Sequence, residues 1–128
     1  MDRSLDSLDV TFKPLAIQLL ARLVEAGIPV MILNTLRTQA EQDEALAKGN
    51  SRVKRSRHQD GFAIDVCPYS TYDLHGADKP NWDTNDPVWF KIGQVGESLG
   101  LRWGGRFGQT DPKKVGWDPG HFEIPSKG

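Results

Sequence analysis

Ser56-Arg57-His58-Gln59-Asp60-Gly61-Phe62-Ala63-Ile64-Asp65 places an imidazole seven residues ahead of a carboxylate, with a glycine between them. From Phe62 the pattern alternates: Phe62, Ile64 and Val66 share one face, Ala63, Asp65 and Cys67 the other. A period of two with one apolar face reads as a β-strand laid on a core. Asp65 then projects from the opposite face, and a carboxylate held there needs a partner because burying an unpaired charge is costly. His58, on the turn entering the strand, can share a cation with it. A second strand-like run, Trp117-Asp118-Pro119-Gly120-His121-Phe122-Glu123, sets Phe122 and Ile124 to one side and His121 and Glu123 to the other. Two imidazoles and one carboxylate are the right number and type for catalytic zinc, which leaves a position open for water. Asp118, three residues before His121 on a Pro-Gly turn, can reach that water without being a ligand.

Outward from these strands, Pro14 fits the first turn of a helix to about Ala26, with Leu15, Leu19, Leu20, Leu23 and Val24 as its apolar stripe and Gly27 as its stop. The residues before it, Ser4 to Leu8, read as a polar lead-in. Pro29 to Asn34 is a short apolar run between turn signals, a buried strand. Thr38 and Glu41 form a capping box for a helix over Gln39 to Ala47. Ser51 to Arg57 reads as a basic loop. Tyr69 to Pro87, rich in Asp, Asn, Pro and Gly, reads as a long loop over one rim, with His75 a surface residue within it; loops of that length are often functional. A third helix runs from about Val88 to Leu99, with Pro87 near its first turn and Asp86 as N-cap. Leu101 to Gly104 reads as a strand, Gly105 to Gly116 as a polar loop, and Phe122 to Ile124 as the last strand. The order predicts an α+β fold, a small, mostly antiparallel sheet with flanking helices.

At 128 residues and 14.3 kDa the chain reads as a single domain, 1–128, large enough for a core of its own. A net charge of −1 excludes the basic excess of a nucleic-acid binder. The single cysteine, Cys67, leaves no internal disulfide, and it reads as buried near the site without being a ligand. No apolar run approaches the ~20 residues that span a bilayer. Met1 to Asp6 lacks a basic stretch followed by an apolar one, so the chain reads as made in a cytoplasm without a signal peptide.

Taken singly, His58 or His121 more often reads as a hydrogen-bonded or solvated residue, and Asp118 and Glu123 as turn and surface residues. There is no HExxH segment. Together, however, Ser56-x-His58-x-x-Gly61-x-Ala63-x-Asp65 and the later Asp118-x-x-His121-Phe122-Glu123 closely resemble the M15 peptidase family, over about Asn34 to Ile124. That family contains zinc D-alanyl-D-alanine carboxypeptidases and dipeptidases, and phage endolysins that cleave L-alanyl-D-glutamate in peptidoglycan. The resemblance implies a hedgehog/D,D-peptidase-like fold, Zn2+ on His58, Asp65 and His121, and Asp118 as general base. Aspartate in place of the usual glutamate, and Glu123 in place of a second histidine, favour the endolysin-like branch.

The resemblance also extends to Leu36-Arg37-Thr38, with Gln42 on the helix behind. It implies Arg37 as the group that opposes the developing oxyanion, a sound role for a fixed guanidinium. Ser56, Gln42 and Trp117 are then expected to bind substrate, with Arg106 also at the cleft, and Trp103 of the Leu101-Arg102-Trp103-Gly104-Gly105 turn in the core. The implied substrate is the peptidoglycan stem peptide, cut by a monomer in the periplasm or cell wall after release from the host cytoplasm. Two rivals stay open: a D-alanyl-D-alanine carboxypeptidase or dipeptidase, and a non-catalytic wall-binding module that keeps zinc only for structure. Asp118 and Arg37 speak against the second, since a structural site has no use for either.

Overall fold

Lys13–Glu25 forms the first helix, α1, with Pro14 in its opening turn, where a missing N–H costs nothing. The computed structural model describes residues 2–49, 51, 56–70 and 79–125. The buried stripe of α1 is Ala16, Leu19 and Leu23, continued N-terminally by Phe12 and Leu8. It is rotated from the stripe expected above: Val24 is 74% exposed, while Leu15 and Leu20 pack only at the margin. The lead-in is likewise structured. Leu5–Ser7 is a 3-10 turn capped by Ser4, and the Asp9 N–H donates to the Gly61 carbonyl at 3.0 Å, which ties the N-terminus to the turn that carries His58.

The sheet is antiparallel throughout, in the order β1-β2-β5-β4. Val30–Asn34 is β1, Ala63–Ser70 is β2, Arg102–Trp103 is β4 and His121–Glu123 is β5. The shared register sets Asp65 opposite His121, Ile64 opposite Phe122 and Trp103 opposite Phe122. A two-residue strand, β3 at Lys79–Pro80, pairs with Tyr69 and Ser70. The strand therefore outruns the point where its sequence alternation dissolves, and part of the expected 69–87 loop is sheet. Its residues 71–78, His75 among them, lie outside the described residues, as do most of the basic loop at 52–55.

Two further helices complete the fold. Gln39–Ala47 is α2, with the expected Thr38–Glu41 capping box formed in both directions at 3.1 Å. Val88–Ser98 is α3; Pro87 rather than Asp86 takes its N-cap position, and Asp86 one residue earlier accepts from the Val88 N–H at 2.9 Å. Gly93 and Gly96 let α3 lie directly on the sheet, since a Cβ at either would collide with the ring of Trp103 or Phe122. The core is thus one-sided: α1 and α3 cover Ile64, Val66, Trp103 and Phe122 on one face. Alternation puts Asp65, His121 and Glu123 on the other. The expected α+β architecture is present, and the sheet face turned away from α1 and α3 carries the charged groups. Among the described residues no helix is long and apolar enough to cross a membrane.

Candidate metal centre and cleft

The turn before β2 delivers the first imidazole. Arg57–Asp60 is a 3-10 turn whose N-cap, Ser56, accepts from the His58 N–H at 3.2 Å while the Gln59 side chain accepts from the Ser56 N–H at 2.9 Å. Gly61 ends the turn at φ +76, and a Cβ there would press on the Asp9 backbone nitrogen at 2.7 Å, so both conformation and space call for glycine. His58 is 1% exposed, and its Nδ1–H donates to the Thr35 carbonyl at 2.8 Å. That bond turns Nε2 toward Asp65 Oδ2 at 3.1 Å, where it is buried and makes no well-aligned hydrogen bond among the described residues. An imidazole nitrogen and a carboxylate oxygen at this distance share a cation, a proton or a metal ion.

The second imidazole is held the opposite way round. His121 Nε2 lies 2.8 Å from Glu123 Oε1, which turns Nδ1 toward Asp65 Oδ1 at 3.0 Å. One ring nitrogen each of His58 and His121 and an oxygen of Asp65 lie within 4.8 Å of one another. Two imidazole nitrogens and a carboxylate oxygen can hold a metal, and suit zinc. In the metal-free protein, burial favours a neutral His121, but hydrogen bonds to Asp65 and Glu123 outweigh it and raise the imidazole to about 10. Burial alone would likewise raise Asp65; the His58 and His121 imidazoles instead hold it far below the usual carboxylate range.

Asp118 stands beside this trio, its Oδ2 3.7 Å from His121 Nδ1. Burial, reinforced by the Asp65 charge, pushes it up to about 6. Its turn is pinned from below: the Trp103 Nε1–H donates to the Pro119 carbonyl at 2.7 Å and the Asp118 N–H to the Gly104 carbonyl at 3.3 Å. Gly104 has no room for a Cβ against the Asp118 carbonyl. Trp103 is therefore core, as expected, and the glycine beside it lets the Asp118 turn close over it. Across the trio, the Arg37 backbone N–H donates to the His58 carbonyl at 3.1 Å and its guanidinium lies 3.9 Å from Asp65. All five groups line a cavity of about 490 Å³, together with Ser56, Phe107, Trp117 and Arg102.

Three expectations change. Gln42, expected to bind substrate, is 0% exposed; its carbonyl accepts from Arg37 NH1 at 2.7 Å and its amide donates to Ser51, so it braces the arginine instead. Arg106 faces away from the cleft, paired with Glu97 at 3.0 Å and stacked on Trp103. Glu123 is buried rather than a surface residue: besides His121 it faces Arg57 at 3.6 Å and Arg102 at 3.9 Å. Its neighbour two residues away on the same strand face is His121, a signal already in the sequence. Ser56 and Trp117 do line the cavity, Ser56 chiefly as the brace of the His58 turn. Cys67 is buried, with its thiol against the Pro68 and Asn81 carbonyls, and burial raises its pKa. A carboxylate that orients a ligating histidine is worth about 10–100-fold in metal affinity. Glu123→Gln is therefore expected to weaken metal binding at this candidate site by that factor in a chelator-competition titration.

The profile of the family described as D-alanyl-D-alanine carboxypeptidase matches residues 49–124, more than half of the chain. Among solved structures, the Serratia marcescens L-Ala D-Glu endopeptidase ChiX is 24% identical, covers 94% of this chain and 83% of its own, and gives a TM-score of 0.63. A mutant of the vancomycin-resistance D,D-pentapeptidase VanY from a VanB-type cassette, in complex with Zn(II), is 17% identical over 91% of this chain and 72% of its own, at a TM-score of 0.59. VanYB in complex with D-alanine-D-alanine is 17% identical over 91% of this chain and 71% of its own, at 0.60. At these identities the structural likeness is one of fold.

Proposed function

The chain belongs to the M15 peptidase family, and from that premise we propose that it is a zinc-dependent, endolysin-like peptidase that hydrolyses the L-alanyl-D-glutamate bond of the peptidoglycan stem peptide. The observation that carries the metal chemistry is the convergence of His58, His121 and Asp65 ligand atoms within 4.8 Å, with His58 Nδ1 already committed to Thr35 and Nε2 turned to Asp65. His58 through Nε2, His121 through Nδ1 and Asp65 would hold the ion. Zinc there would supply a Lewis acid for the scissile carbonyl and acidify water at the site.

The chain's own groups do the rest. Asp118, raised to about 6, is ionised at neutral pH and still basic enough to take a proton from the attacking water. As the water oxygen bonds to the carbonyl carbon and the C–N bond breaks, the Asp118 carboxyl gives that proton to the leaving amine. Arg37 opposes the negative charge on the carbonyl oxygen, its guanidinium held by Gln42 and Asp65. Arg37→Ala is expected to lower kcat by about 10²–10³-fold with a smaller change in KM. Gln42→Ala should move kcat the same way by less, as befits a brace; steady-state kinetics of both variants checks the order.

Asp118 in the base position and Glu123 two residues after His121 support the endolysin-like bond. The family description favours a second reading, removal of terminal D-alanine. Synthetic stem peptides decide between them. New L-alanine C-termini and D-glutamate N-termini support the proposal, and release of D-alanine alone replaces it with the second reading.

A further inference from the structure

We propose that Arg102 forms a carboxylate subsite on the wall of the cleft, reading a free carboxylate on the residue that carries the leaving amine. The inference rests on the peptidase reading above. Three arginines line the cavity, and two are committed elsewhere. Arg37 is tied to Gln42 at 2.7 Å, and Arg57 donates to the Ile124 carbonyl at 3.0 Å while lying over the Phe62 ring. Arg102 differs: its side chain is 57% exposed, and its polar contact among the described residues is Glu123 at 3.9 Å.

Arg102 is nevertheless fixed in place. Strand register sets it opposite Glu123, and its guanidinium lies 4.5 Å from the centre of the Phe107 ring. Phe107 in turn stands 5.7 Å from the His121 ring and 5.5 Å from Trp117. Stacking holds a guanidinium by its face and leaves its N–H edge open for a planar, bidentate acceptor. The charge on this wall is also out of balance. Glu123 spends one oxygen on His121 at 2.8 Å, and two arginines share the other at 3.6 and 3.9 Å. Asp65 also partners the His121 imidazole at 3.0 Å, so what Glu123 leaves unbalanced on this wall is one guanidinium of the Arg57–Arg102 pair.

Both candidate substrates carry the matching group. D-Glutamate, continued through its side-chain carboxyl, keeps its α-carboxylate on the carbon next to the leaving nitrogen. A terminal D-alanine keeps its own carboxylate at the same position. The test compares zinc-loaded wild type, R102Q and R102K on two peptide pairs, a stem with D-glutamate or its α-carboxamide, and a pentapeptide ending in D-alanine acid or amide. For the peptide that is cleaved, amidation should cost the wild type roughly 10- to 100-fold in kcat/KM, mostly through KM. R102Q should lose the same factor on the acid and no longer distinguish acid from amide, with R102K in between. The pair that shows the effect identifies the carboxylate read.

Discrimination by R102Q equal to that of the wild type, or a wild type indifferent to amidation, overturns the subsite alone. Loss of zinc by R102Q also overturns it, making Arg102 a support for Glu123. Failure of the wild type to cut any of the four peptides overturns the peptidase reading, and the subsite with it.

Discussion

Asp118→Asn is expected to keep its zinc and lose about 10²–10⁴-fold in kcat, the range removed with a general base. The substitution keeps shape and hydrogen-bonding capacity while abolishing the proton acceptor, and the 3.7 Å gap to His121 Nδ1 leaves the three ligating groups undisturbed. In the wild type, activity requires the ionised carboxylate, so it is present above the Asp118 pKa and lost as pH falls through it. With that pKa at about 6 in the metal-free protein, and lowered by any cation beside it, the acid limb should lie at or below pH 6 and vanish in the variant. The same carboxylate works against the metal-free fold. Its folded pKa of about 6 lies above the ordinary 3.8, so the stability it contributes is complete below the lower value and lost as pH rises through the upper one. Metal-free Asp118→Asn should thus melt higher than wild type at pH 7, by no more than about 1–2 kcal/mol after solvent screening, with the gain gone by pH 4. Thermal melts across pH check the sign.

Stripping the metal is expected to abolish cleavage while leaving the chain folded. The core lies on the opposite face of the sheet, between β2, β5, α1 and α3, and contains none of the ligating residues. Without metal, His121 bridges Asp65 at 3.0 Å and Glu123 at 2.8 Å, so the site has an internal cation of its own. Zinc must displace the proton from His121 Nδ1, which with the imidazole raised to about 10 is bound throughout the neutral range. Affinity should therefore fall about tenfold for each pH unit lowered between 9 and 6, one proton being released per ion bound. Circular dichroism after chelation should show a native fold. Zinc titrations at several pH values should give that slope, and added zinc should restore turnover and raise Tm by mass action.

Much of this site could be read directly because a strand alternates. Phe62, Ile64 and Val66 declare the core face, which commits Asp65 to the other, and Phe122 does the same for His121. Local chemistry was equally legible: the Thr38–Glu41 box starts α2 where its side chains say it should. What the sequence conceals is what lies across from a residue. Gln42 reads as a polar helix residue, and only packing shows that its amide is sealed between Arg37 and Ser51. Arg106 and Arg102 lie close together on a 3-10 turn and a short strand, yet one turns to Glu97 and the other to the cleft. Leu8 and Phe12 continue the spacing of the α1 stripe but precede the helix, and a 3-10 turn and a bond to Gly61 bring that polar-looking segment into the core. The brace on His58 Nδ1 is the backbone carbonyl of Thr35, which no side-chain pattern can signal.

The most direct test is digestion of purified peptidoglycan by the zinc-loaded protein, with released termini identified by mass and bound zinc measured in the same sample. One zinc per chain with new L-alanine C-termini and D-glutamate N-termini is the predicted result. One zinc per chain with no cut stem peptide would contradict it, leaving His58, Asp65 and His121 as a structural site.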